Sequence, residues 1–594
     1  MPNPMTTCKD KMRADFYFIT LFIIIQAAWV VPVAAQSPEQ PEAATGLSKQ
    51  PAARGRDFMI VTANPLATQA GYEILEAGGT AADAAFAAQL VLGLVEPQSS
   101  GLGGGGFLLY WDAAARKLVS LDGRETAPAE VNERYFLTAE GRPMEWNKAF
   151  VGGLAIGVPG LPMLLDQMVT RFGQAPREDL FATAIQLSED GFEVSPRMAS
   201  LLEDTDGLKF FKSTKELYLP EGEKLQEGDT LKNPDYADSL RKFQEHGADV
   251  FYSGPLGQRI AITVANAWHN PGRMSATDIA EYRVVERQPV CGLYRGYKVC
   301  SMGEPSSGGL TLIQALQMLE RFDLRQKTIR DPLSWHLIAE ASRLAFADRN
   351  LYMADPDQVE TPGLSLIDPA YTAVRSSLIS EQTRLADPIP GTPLGWSGAS
   401  LASDRAHKQT GTTHISVIDR YGNALSLTTS IESAFGAKLV VNGYLLNNQL
   451  TDFSFTPEQD GMPVANRPGP GKRPRSSMTP VIIFDANNKP VMVLGSAGGS
   501  RIIGYVLQRI ITVLDWDLPL DEAMIFPHVL SRGNFIEIED NGDTLLPFDY
   551  AVLELMGHEV KRGPMTSGLT AIHATRSGYI GAADPRREGV AKGQ

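Results

Sequence analysis

The chain has 594 residues, of which 43% are hydrophobic and 21% charged, as in large globular proteins rather than disordered or fibrous ones. Its formal net charge is −15, and no run of Lys and Arg is long enough to follow a phosphate backbone, which argues against nucleic acid as a partner. These totals permit a sizeable core and leave an enzymatic role open.

The first segment, residues 1–35, has the pattern of a signal peptide. Three basic side chains precede an apolar run from Phe16 to Ala35, and small residues come directly before Gln36, at the usual cleavage positions. We therefore expect a periplasmic or secreted protein. The run is also about long enough to span a bilayer, so a retained membrane anchor is the alternative.

Residues 36–56 are polar and rich in Pro and Ala, which predicts a flexible leader before a folded body that begins near Asp57. Asn64-Pro65 is an N-cap followed by proline, a pattern typical of a helix start. Thr80 and Asp83 form the capping-box pattern of a second, Ala-rich helix, whose small side chains indicate close packing.

Two Gly-rich segments have the composition of nucleotide loops, but neither has the required context. Residues 101–106 match a dinucleotide fingerprint, yet they lead into a predicted strand at 107–110 instead of following a strand and opening a helix. Residues 495–500 lie between a predicted strand and helix but lack the Gly-Lys-Ser/Thr of a phosphate loop. Their backbone N–H groups still suit an anion.

Two cysteines, Cys291 and Cys300, remain in the expected mature region. A two-residue turn at Arg295-Gly296 would place them directly opposite each other in a hairpin, about 4.5 Å apart at Cα, within disulfide range. The two cysteines could form a disulfide, or they could remain as two reduced thiols. The eight His are scattered without metal spacing, so we predict no metal site and no cofactor.

Further along the chain, a capping pattern and a change of composition mark two features. Asp331-Pro332 begins a predicted helix that runs to about Arg349. A Pro/Gly/Ser-rich stretch at 388–411 then leads directly into a predicted hairpin of two strands, residues 412–419 and 424–431. An accessible segment that runs straight into a buried strand is what a cleavable proenzyme needs.

Thr412 begins that hairpin, and a threonine in a strand is ordinarily only a β-former. Its surroundings, however, closely resemble the γ-glutamyltransferase family of N-terminal-nucleophile hydrolases. The segments that carry the resemblance stand in family order: 122–128, 305–309, 345–349, Thr412-Thr-His-Ile-Ser-Val, Gly422-Asn423, Ser430-Ile-Glu432, Phe435-Gly436, Leu446-Asn-Asn-Gln449, Asp452-Phe-Ser, Lys472-Arg-Pro, Ser476-Ser-Met-Thr-Pro480 and Gly495-Ser-Ala-Gly-Gly-Ser-Arg501.

The resemblance implies an α+β fold, a four-layer αββα sandwich. It also implies that the chain cuts itself between Gly411 and Thr412. The Thr412 hydroxyl would attack the Gly411 carbonyl, and water would cleave the resulting ester. The products would be a large subunit, residues 57–411, and a small subunit, residues 412–594, which associate as a heterodimer and form one intertwined domain. The new α-amino group of Thr412 would then serve as its base.

The resemblance also implies a role for each site residue. Ser430 would lie beside the nucleophile, and the N–H groups of Gly498 and Gly499 would bind the oxyanion. The α-carboxylate of a γ-glutamyl donor would contact Arg124, Ser476 and Ser477, and its α-ammonium would contact Gln449, Asp452 and Glu432. Many members of the family carry Asn where this chain has Glu432, which adds an acid beside Asp452.

The expected activity is cleavage of γ-glutamyl amide bonds, glutathione being the family's usual donor, through a γ-glutamyl ester on Thr412. Water, amino acids or peptides would accept the acyl group, so the expected partners are small molecules. A cephalosporin or glutaryl acylase and a poly-γ-glutamate depolymerase are related alternatives. Asp452 and Glu432 argue against glutaryl donors, which have no ammonium group to pair with them. An inactive exported binding protein is the third possibility.

Overall fold

The computed structural model describes residues 51–404, 411–541 and 546–594. The predicted signal peptide and residues 36–50 of the predicted leader lie outside this part of the chain. Two seven-stranded sheets form the centre of the described body, and neighbouring strands in both are antiparallel. Helices cover the outer face of each sheet.

The strands of the two sheets are, in chain order, β1 (Ala53–Gly55), β2 (Met59–Thr62), β3 (Gly105–Asp112), β4 (Lys117–Gly123), β5 (Val285–Arg287), β6 (Val290–Tyr294), β7 (Tyr297–Ser301), β8 (Gly411–Ile418), β9 (Ala424–Glu432), β10 (Val481–Phe484), β11 (Pro490–Gly495), β12 (Thr570–Thr575), β13 (Gly578–Ala583) and β14 (Val590–Gly593). Sheet one has the order β1-β13-β12-β11-β10-β7-β6, and sheet two has the order β14-β2-β8-β9-β3-β4-β5.

The helices are α1 (Pro65–Glu76), α2 (Ala81–Val95), α3 (Trp146–Ala149), α4 (Leu161–Phe172), α5 (Arg177–Asp190), α6 (Pro196–Asp204), α7 (Lys212–Tyr218), α8 (Pro234–His246), α9 (Asp249–Tyr252), α10 (Pro255–Ala265), α11 (Ala276–Glu281), α12 (Gly308–Leu319), α13 (Pro332–Tyr352), α14 (Pro369–Ser377), α15 (Ile502–Leu514), α16 (Leu520–Ile525) and α17 (Ala551–Leu555). Smaller sheets pair Phe192–Glu193 with Thr230–Leu231, Val440–Val441 with Tyr444–Leu445, and Glu458–Gln459 with Met462–Pro463. In a three-stranded sheet, Phe535–Glu539 lies between Val529–Ser531 and Glu559–Gly563.

Three apolar layers hold the body together. The first lies between sheet two and helices that include α1 and α2, and the second between sheet one and helices that include α12, α13 and α15. The third lies between the sheets, where Val61 and Leu109 of sheet two meet Ile482 and Val493 of sheet one. The predicted α+β fold with four αββα layers is confirmed.

The predicted helix starts are also present. Asn64 caps α1 by accepting a hydrogen bond from the amide of Leu66 at 2.9 Å, and Thr80 and Asp83 form the capping box of α2. Every residue of α2 is buried, and a Cβ at Gly71 would lie 2.9 Å from the Ala84 carbonyl oxygen, so small residues are needed where α1 and α2 touch. Helix α13 continues three residues beyond its predicted end.

The cysteine hairpin has the predicted register. Strands β6 and β7 pair Tyr294 with Tyr297 and Cys291 with Cys300. The two sulfurs are bonded, and the Cα atoms lie 4.1 Å apart. The hairpin is at the edge of sheet one, so the bond ties the last two strands of that sheet together.

Regular structure begins earlier than Asp57, where the sequence suggested that the folded body starts. Strand β1 pairs with β13, with Ala53 opposite Gly581. The chain end closes the same corner, because the Gln594 carbonyl oxygen accepts bonds from the amides of Arg56 and Asp57 at 2.6 and 2.5 Å. Strand β1 is held by backbone hydrogen bonds, which need no apolar sequence pattern, so the composition of residues 36–56 did not predict this strand. Among the described residues, no helix has the length and apolar character needed to cross a membrane.

Candidate active site

Thr412 lies at the start of β8, in the middle of sheet two. Gly411 and Thr412 are consecutive residues of this strand, so the structure is that of the uncut chain. The pairing with β9 shifts here: Gly411 lies opposite Glu432, and Thr413 opposite Thr429. Thr412 therefore lies opposite a bulge in β9, where Ser430 and Ile431 face this one residue, and a bulge of this kind redirects side chains. It is 2% exposed.

Ser430, on β9, connects the two residues of the predicted cleavage site. Its hydroxyl donates to the Gly411 carbonyl oxygen at 2.6 Å and accepts a bond from the Glu432 amide at 2.9 Å. The Thr412 hydroxyl donates to the Ser430 hydroxyl oxygen at 3.4 Å. One donor and two acceptor positions are what a hydroxyl offers, so this arrangement uses all of them.

A cavity opens beside Thr412. Most of the predicted site residues line it: Thr412 and Ser430 from sheet two, and Arg124, Gln449, Asp452, Ser476, Ser477 and Gly499 from segments outside the two sheets. Gly498 and Glu432 are not among the described residues that line it. The fold thus brings together residues from six separate segments of the chain.

Arg124 and Asp452 form an ion pair in this cavity. The Arg124 Nη2 atom lies 2.5 Å from Asp452 Oδ2, and Nε donates to the Pro474 carbonyl oxygen at 3.1 Å. The Arg124 side chain is 1% exposed and that of Asp452 13%. The carboxylate of Asp452 thus balances the charge of the buried Arg124 guanidinium.

A second acid, Glu125, lies behind the pair. One of its oxygens is 3.6 Å from Arg124 Nη1, and within the described structure its carboxyl group has no hydrogen-bond partner. Burial raises the pKa of Glu125 to about 8, although the Arg124 guanidinium opposes that rise. Burial thus favours the neutral form of this carboxyl group, and Asp452 is the acid in direct contact with Arg124.

The hydroxyl oxygens of the two serines in the predicted carboxylate site each accept a hydrogen bond from the protein. Ser476 Oγ accepts a bond from the Met478 amide at 3.1 Å, and Ser477 Oγ accepts one from Arg349 Nη2 at 2.7 Å. The Ser477 hydroxyl is thus already bonded to a cation, which increases its ability to donate to a carboxylate.

The predicted oxyanion residues lie where β11 turns into α15. Gly498 has a φ of 123° and Gly499 a φ of 60°, both in the region that favours glycine. A Cβ at Gly498 would lie 2.6 Å from a ring carbon of Tyr505, so a side chain is excluded there on steric grounds too. Amide groups at the start of a helix have no acceptor within it, and such groups suit an anion.

Glu432 is placed differently from the other predicted ammonium contacts. It is fully buried, and its Oε2 atom accepts bonds from Ser433 Oγ at 2.6 Å and Asn448 Nδ2 at 3.0 Å. Its carboxylate also lies close enough to Lys438 to favour the charged form of that lysine, whose pKa burial lowers to about 7. In the uncut chain, Glu432 braces the loop after β9, and its role toward an ammonium group stays a prediction.

Arginines that the sequence did not single out also surround Thr412. Arg349, Arg475 and Arg532 line the cavity, and Arg587 Nη1 donates to the Thr412 carbonyl oxygen at 2.9 Å. Arg349 ends a segment that carries the family resemblance, and Arg475 directly precedes the serine pair, so both had a positional signal. Arg532 had none, because it comes from a hairpin outside those segments.

One group of described residues has the composition of a metal site: His336, Glu340 and His558. Its ligand atoms are engaged with each other and with protein groups, however. His336 Nδ1 lies 2.7 Å from His558 Nε2, and Glu340 Oε1 is 2.5 Å from Arg343 Nη1. A guanidinium in that position disfavours a bound cation, and the group is better explained as a buried hydrogen-bond network.

The family model for gamma-glutamyltranspeptidase matches residues 67–594. The chain belongs to the gamma-glutamyltranspeptidase family. It is 34% identical over 586 residues to a glutathione hydrolase proenzyme of Bacillus subtilis (strain 168), covering 96% of this chain and 97% of that protein.

Other members of the family with different names are similarly related. An acylase ACY 1 proenzyme of Pseudomonas sp. (strain SE83) is 34% identical over 554 residues, covering 91% of this chain and 94% of that protein. The crystal structure of a cephalosporin acylase from Bacillus halodurans superimposes with a TM-score of 0.78 at 25% identity, covering 95% of this chain and 99% of that chain. Family membership thus fixes the fold and the class of enzyme, while the choice of donor rests on this chain's own residues.

Proposed function

We propose that this protein is a self-processing γ-glutamyltransferase and glutathione hydrolase that uses Thr412 as its nucleophile. The observation that carries the proposal is the position of Ser430. Its hydroxyl donates to the carbonyl oxygen of Gly411 at 2.6 Å and lies 3.4 Å from the hydroxyl of Thr412. One side chain thus contacts both the bond to be cut and the group that would attack it.

The self-cleavage step follows from this contact. The Thr412 oxygen adds to the Gly411 carbonyl carbon and loses its proton, and the Ser430 hydroxyl stabilises the negative charge that develops on the carbonyl oxygen. The C–N bond then breaks, the Thr412 nitrogen takes up a proton, and the acyl group rests on the Thr412 oxygen as an ester. Water hydrolyses this ester to the carboxylate of Gly411 and a free Thr412.

Turnover would repeat the chemistry on a donor. The freed α-amino group takes the proton from the Thr412 hydroxyl, whose oxygen attacks the γ-carbonyl carbon of the donor. The amides of Gly498 and Gly499 bind the oxyanion, and the leaving amine accepts a proton as its C–N bond breaks. Water or an amino acid then takes the γ-glutamyl group from Thr412.

The Arg124–Asp452 pair supports a donor that is an α-amino acid. A γ-glutamyl group carries one carboxylate and one ammonium, so it can separate this pair and give each member a new partner of opposite charge. Ser476 and Ser477 add hydroxyl donors on the carboxylate side, and Gln449 adds an amide oxygen. A donor without an ammonium group would use Arg124 to bind its carboxylate, and Asp452 would then have no cation of its own to pair with.

The acylase relatives make a glutaryl or cephalosporin side chain the main alternative donor, and poly-γ-glutamate a second one. We favour small γ-glutamyl compounds because the charge pairing at Asp452 fits an α-ammonium group. An inactive binding protein of the same fold would need no contact between Ser430 and the Gly411 carbonyl.

The two proposed subunits, residues 57–411 and 412–594, would remain one body after the cut. Strands β8 and β9 of the small subunit lie between β2 and β3 of the large subunit, each joined by antiparallel pairing. Separation would therefore break sheet two in its middle. We also propose that the protein acts after export to the periplasm or outside the cell, in line with the signal-peptide pattern and the disulfide.

The test is to purify the chain, inspect it on a denaturing gel and measure release of glutamate from glutathione. We expect two fragments and hydrolysis from the wild type, and one uncut, inactive chain from Thr412→Ala. Thr413→Val is the matched control, because the Thr413 hydroxyl has no hydrogen-bond partner in the described structure. An uncut chain with full activity, or cut chain without γ-glutamyl cleavage, would contradict the proposal.

A further inference from the structure

Positive charge exceeds negative charge in the nucleophile cavity. Of the described residues that line it, the arginines are Arg124, Arg349, Arg475 and Arg532, and the acids are Asp404 and Asp452. The α-amino acid end of a γ-glutamyl donor carries one charge of each sign and leaves this excess unchanged. A ligand that balances the cavity must therefore bring a further negative charge.

Two of the arginines have a carboxylate within the cavity. Arg124 pairs with Asp452 at 2.5 Å, and Arg475 Nη2 pairs with Asp404 at 3.0 Å. The other two, Arg349 and Arg532, have no carboxylate partner among the described residues that line this cavity.

Arg349 is buried and has only neutral partners within the described structure. Its guanidinium donates to Ser307 Oγ at 2.8 Å, Asn350 Oδ1 at 2.9 Å and Ser477 Oγ at 2.7 Å. Burial, and after it the neighbouring Arg475, hold the pKa of Arg349 well below its usual range. Arg349 bonds Ser477, which is predicted to bind the donor's α-carboxylate, so the charge of Arg349 would act on that carboxylate.

Arg532 contacts the predicted oxyanion loop. Its Nη1 atom donates to the hydroxyl of Ser500, the residue that follows Gly499. Its Nε and Nη2 atoms donate to Glu537 Oε1 at 2.9 and 2.6 Å, while the other oxygen of Glu537 is engaged by Arg501. Arg532 thus shares its carboxylate with a second guanidinium, and one of its edges faces a neutral group beside the reaction centre.

Arg532 and Asn350 also line a second cavity that adjoins the first. Its volume is about 580 Å³, against about 60 Å³ for the nucleophile cavity. The walls are α13, the hairpin that carries Arg532, and the stretch Asp387–Pro390, which precedes the cleavage site in sequence. The adjoining cavity therefore has room for chemical groups that the nucleophile cavity cannot hold.

We propose that Arg532 binds a free carboxylate on the leaving group of the donor, and that the adjoining cavity holds the rest of that group. The inference rests on the proposed function. In that reaction the donor's own α groups are held at Arg124 and Asp452, so a group that reaches Arg532 lies beyond the scissile bond. The preferred donors are then γ-glutamyl peptides with a free C-terminal carboxylate, and neutral γ-glutamyl amides are poorer.

The test compares two donors of the same size, γ-glutamyl-cysteinyl-glycine and its C-terminal amide. A charge-assisted hydrogen bond in a buried site is worth about 1.5–3 kcal/mol. We therefore expect wild-type kcat/KM to be about tenfold or more higher for the free acid. The ratio should fall close to one in Arg532→Gln, mainly through KM, and Arg532→Lys should retain part of it.

Arg171→Gln is the matched control, because Arg171 is a partly exposed arginine paired with Glu286 at 2.8 Å, on the outside of the body. It should leave the ratio unchanged. A purely structural role for Arg532, as an anchor for Glu537, would lower both donors equally and keep the tenfold ratio; that result overturns the proposal. A wild-type ratio near one also overturns it and requires no variant to fold. Failure to cleave either donor would instead contradict the proposed function.

Discussion

The two sides of the cavity are built differently. Thr412 and Ser430 lie on adjacent strands in the centre of sheet two, where the ladder fixes their positions. The charged wall that faces them comes from a helix and several loops, with Arg349 on α13 and Arg532 on a small hairpin. The difference suggests that strands position the atoms that react, and that loops decide which donor is accepted.

The largest expected effect is on the strand side. Ser430→Ala removes the hydroxyl that donates to the Gly411 carbonyl, and loss of one such donor slows related reactions by about 10²–10³. We expect uncut chain to accumulate and to mature slowly, as measured by a time course on a denaturing gel. Ser430→Thr keeps the hydroxyl and should restore cleavage. Normal maturation of Ser430→Ala would separate Ser430 from the chemistry.

The next effect is on the charged wall and should leave maturation intact. Asp452→Asn removes the carboxylate that would pair with the donor's α-ammonium group, and a hydrogen bond between charged groups is worth about 1.5–3 kcal/mol. We expect cut protein whose kcat/KM for γ-glutamyl donors falls by about 10- to 100-fold. Its preference over glutaryl donors should largely disappear.

Asp238→Asn, at an exposed residue paired with Lys242, is the control and should match the wild type. A block of self-cleavage in Asp452→Asn would contradict the view that the strands position the reacting atoms and that the loops only select the donor.

A third effect concerns Glu125, behind the wall. Its folded-state pKa is raised from 4.5 to about 8, so the folded protein keeps a proton that the unfolded chain loses. Its contribution to stability is therefore fully present below pH 4.5 and is lost as the pH rises to about 8. Glu125→Gln removes this loss, and we expect the free energy of unfolding of the variant to rise, relative to that of the wild type, by on the order of 5 kcal/mol between pH 4.5 and 8. Denaturant unfolding at several pH values measures the difference, and parallel pH profiles would contradict the assigned pKa.

The smallest effect is expected at the disulfide, which is far from both sides of the cavity. Replacing Cys291 and Cys300 by serine opens a short loop at the edge of sheet one and should lower the free energy of unfolding by about 2 kcal/mol. Cleavage and donor preference should not change, because neither residue lines the cavity. Thermal unfolding and the two activity assays check this, and a change in donor preference would connect the edge of the sheet to the site.

The strand side was predictable from the sequence because its signals are local. The hairpin at Thr412 shows as two apolar runs around a turn, and Asn64, Thr80 and Asp331 mark helix starts by capping chemistry. The cysteine register followed from counting outward from one turn. These features depend on residues that are close together in the chain.

The charged wall was only partly predictable because it depends on tertiary packing. Arg124 and Asp452 were found through family resemblance, not through their spacing. Arg532 reaches the cavity from a hairpin more than a hundred residues after Thr412, and no periodicity marks it. Glu432 is bonded to Ser433 and Asn448 in the uncut chain, and its predicted contact with the donor's ammonium group stays a prediction.

The central claim is that Thr412 becomes a chain end and then carries the acyl group. The most direct measurement is mass spectrometry of the protein, before and after brief mixing with a γ-glutamyl donor, followed by peptide mapping. We expect a small fragment that begins at Thr412 and a transient γ-glutamyl adduct on that residue. An adduct on another residue, or steady turnover by a chain whose Gly411–Thr412 bond is intact, would contradict it.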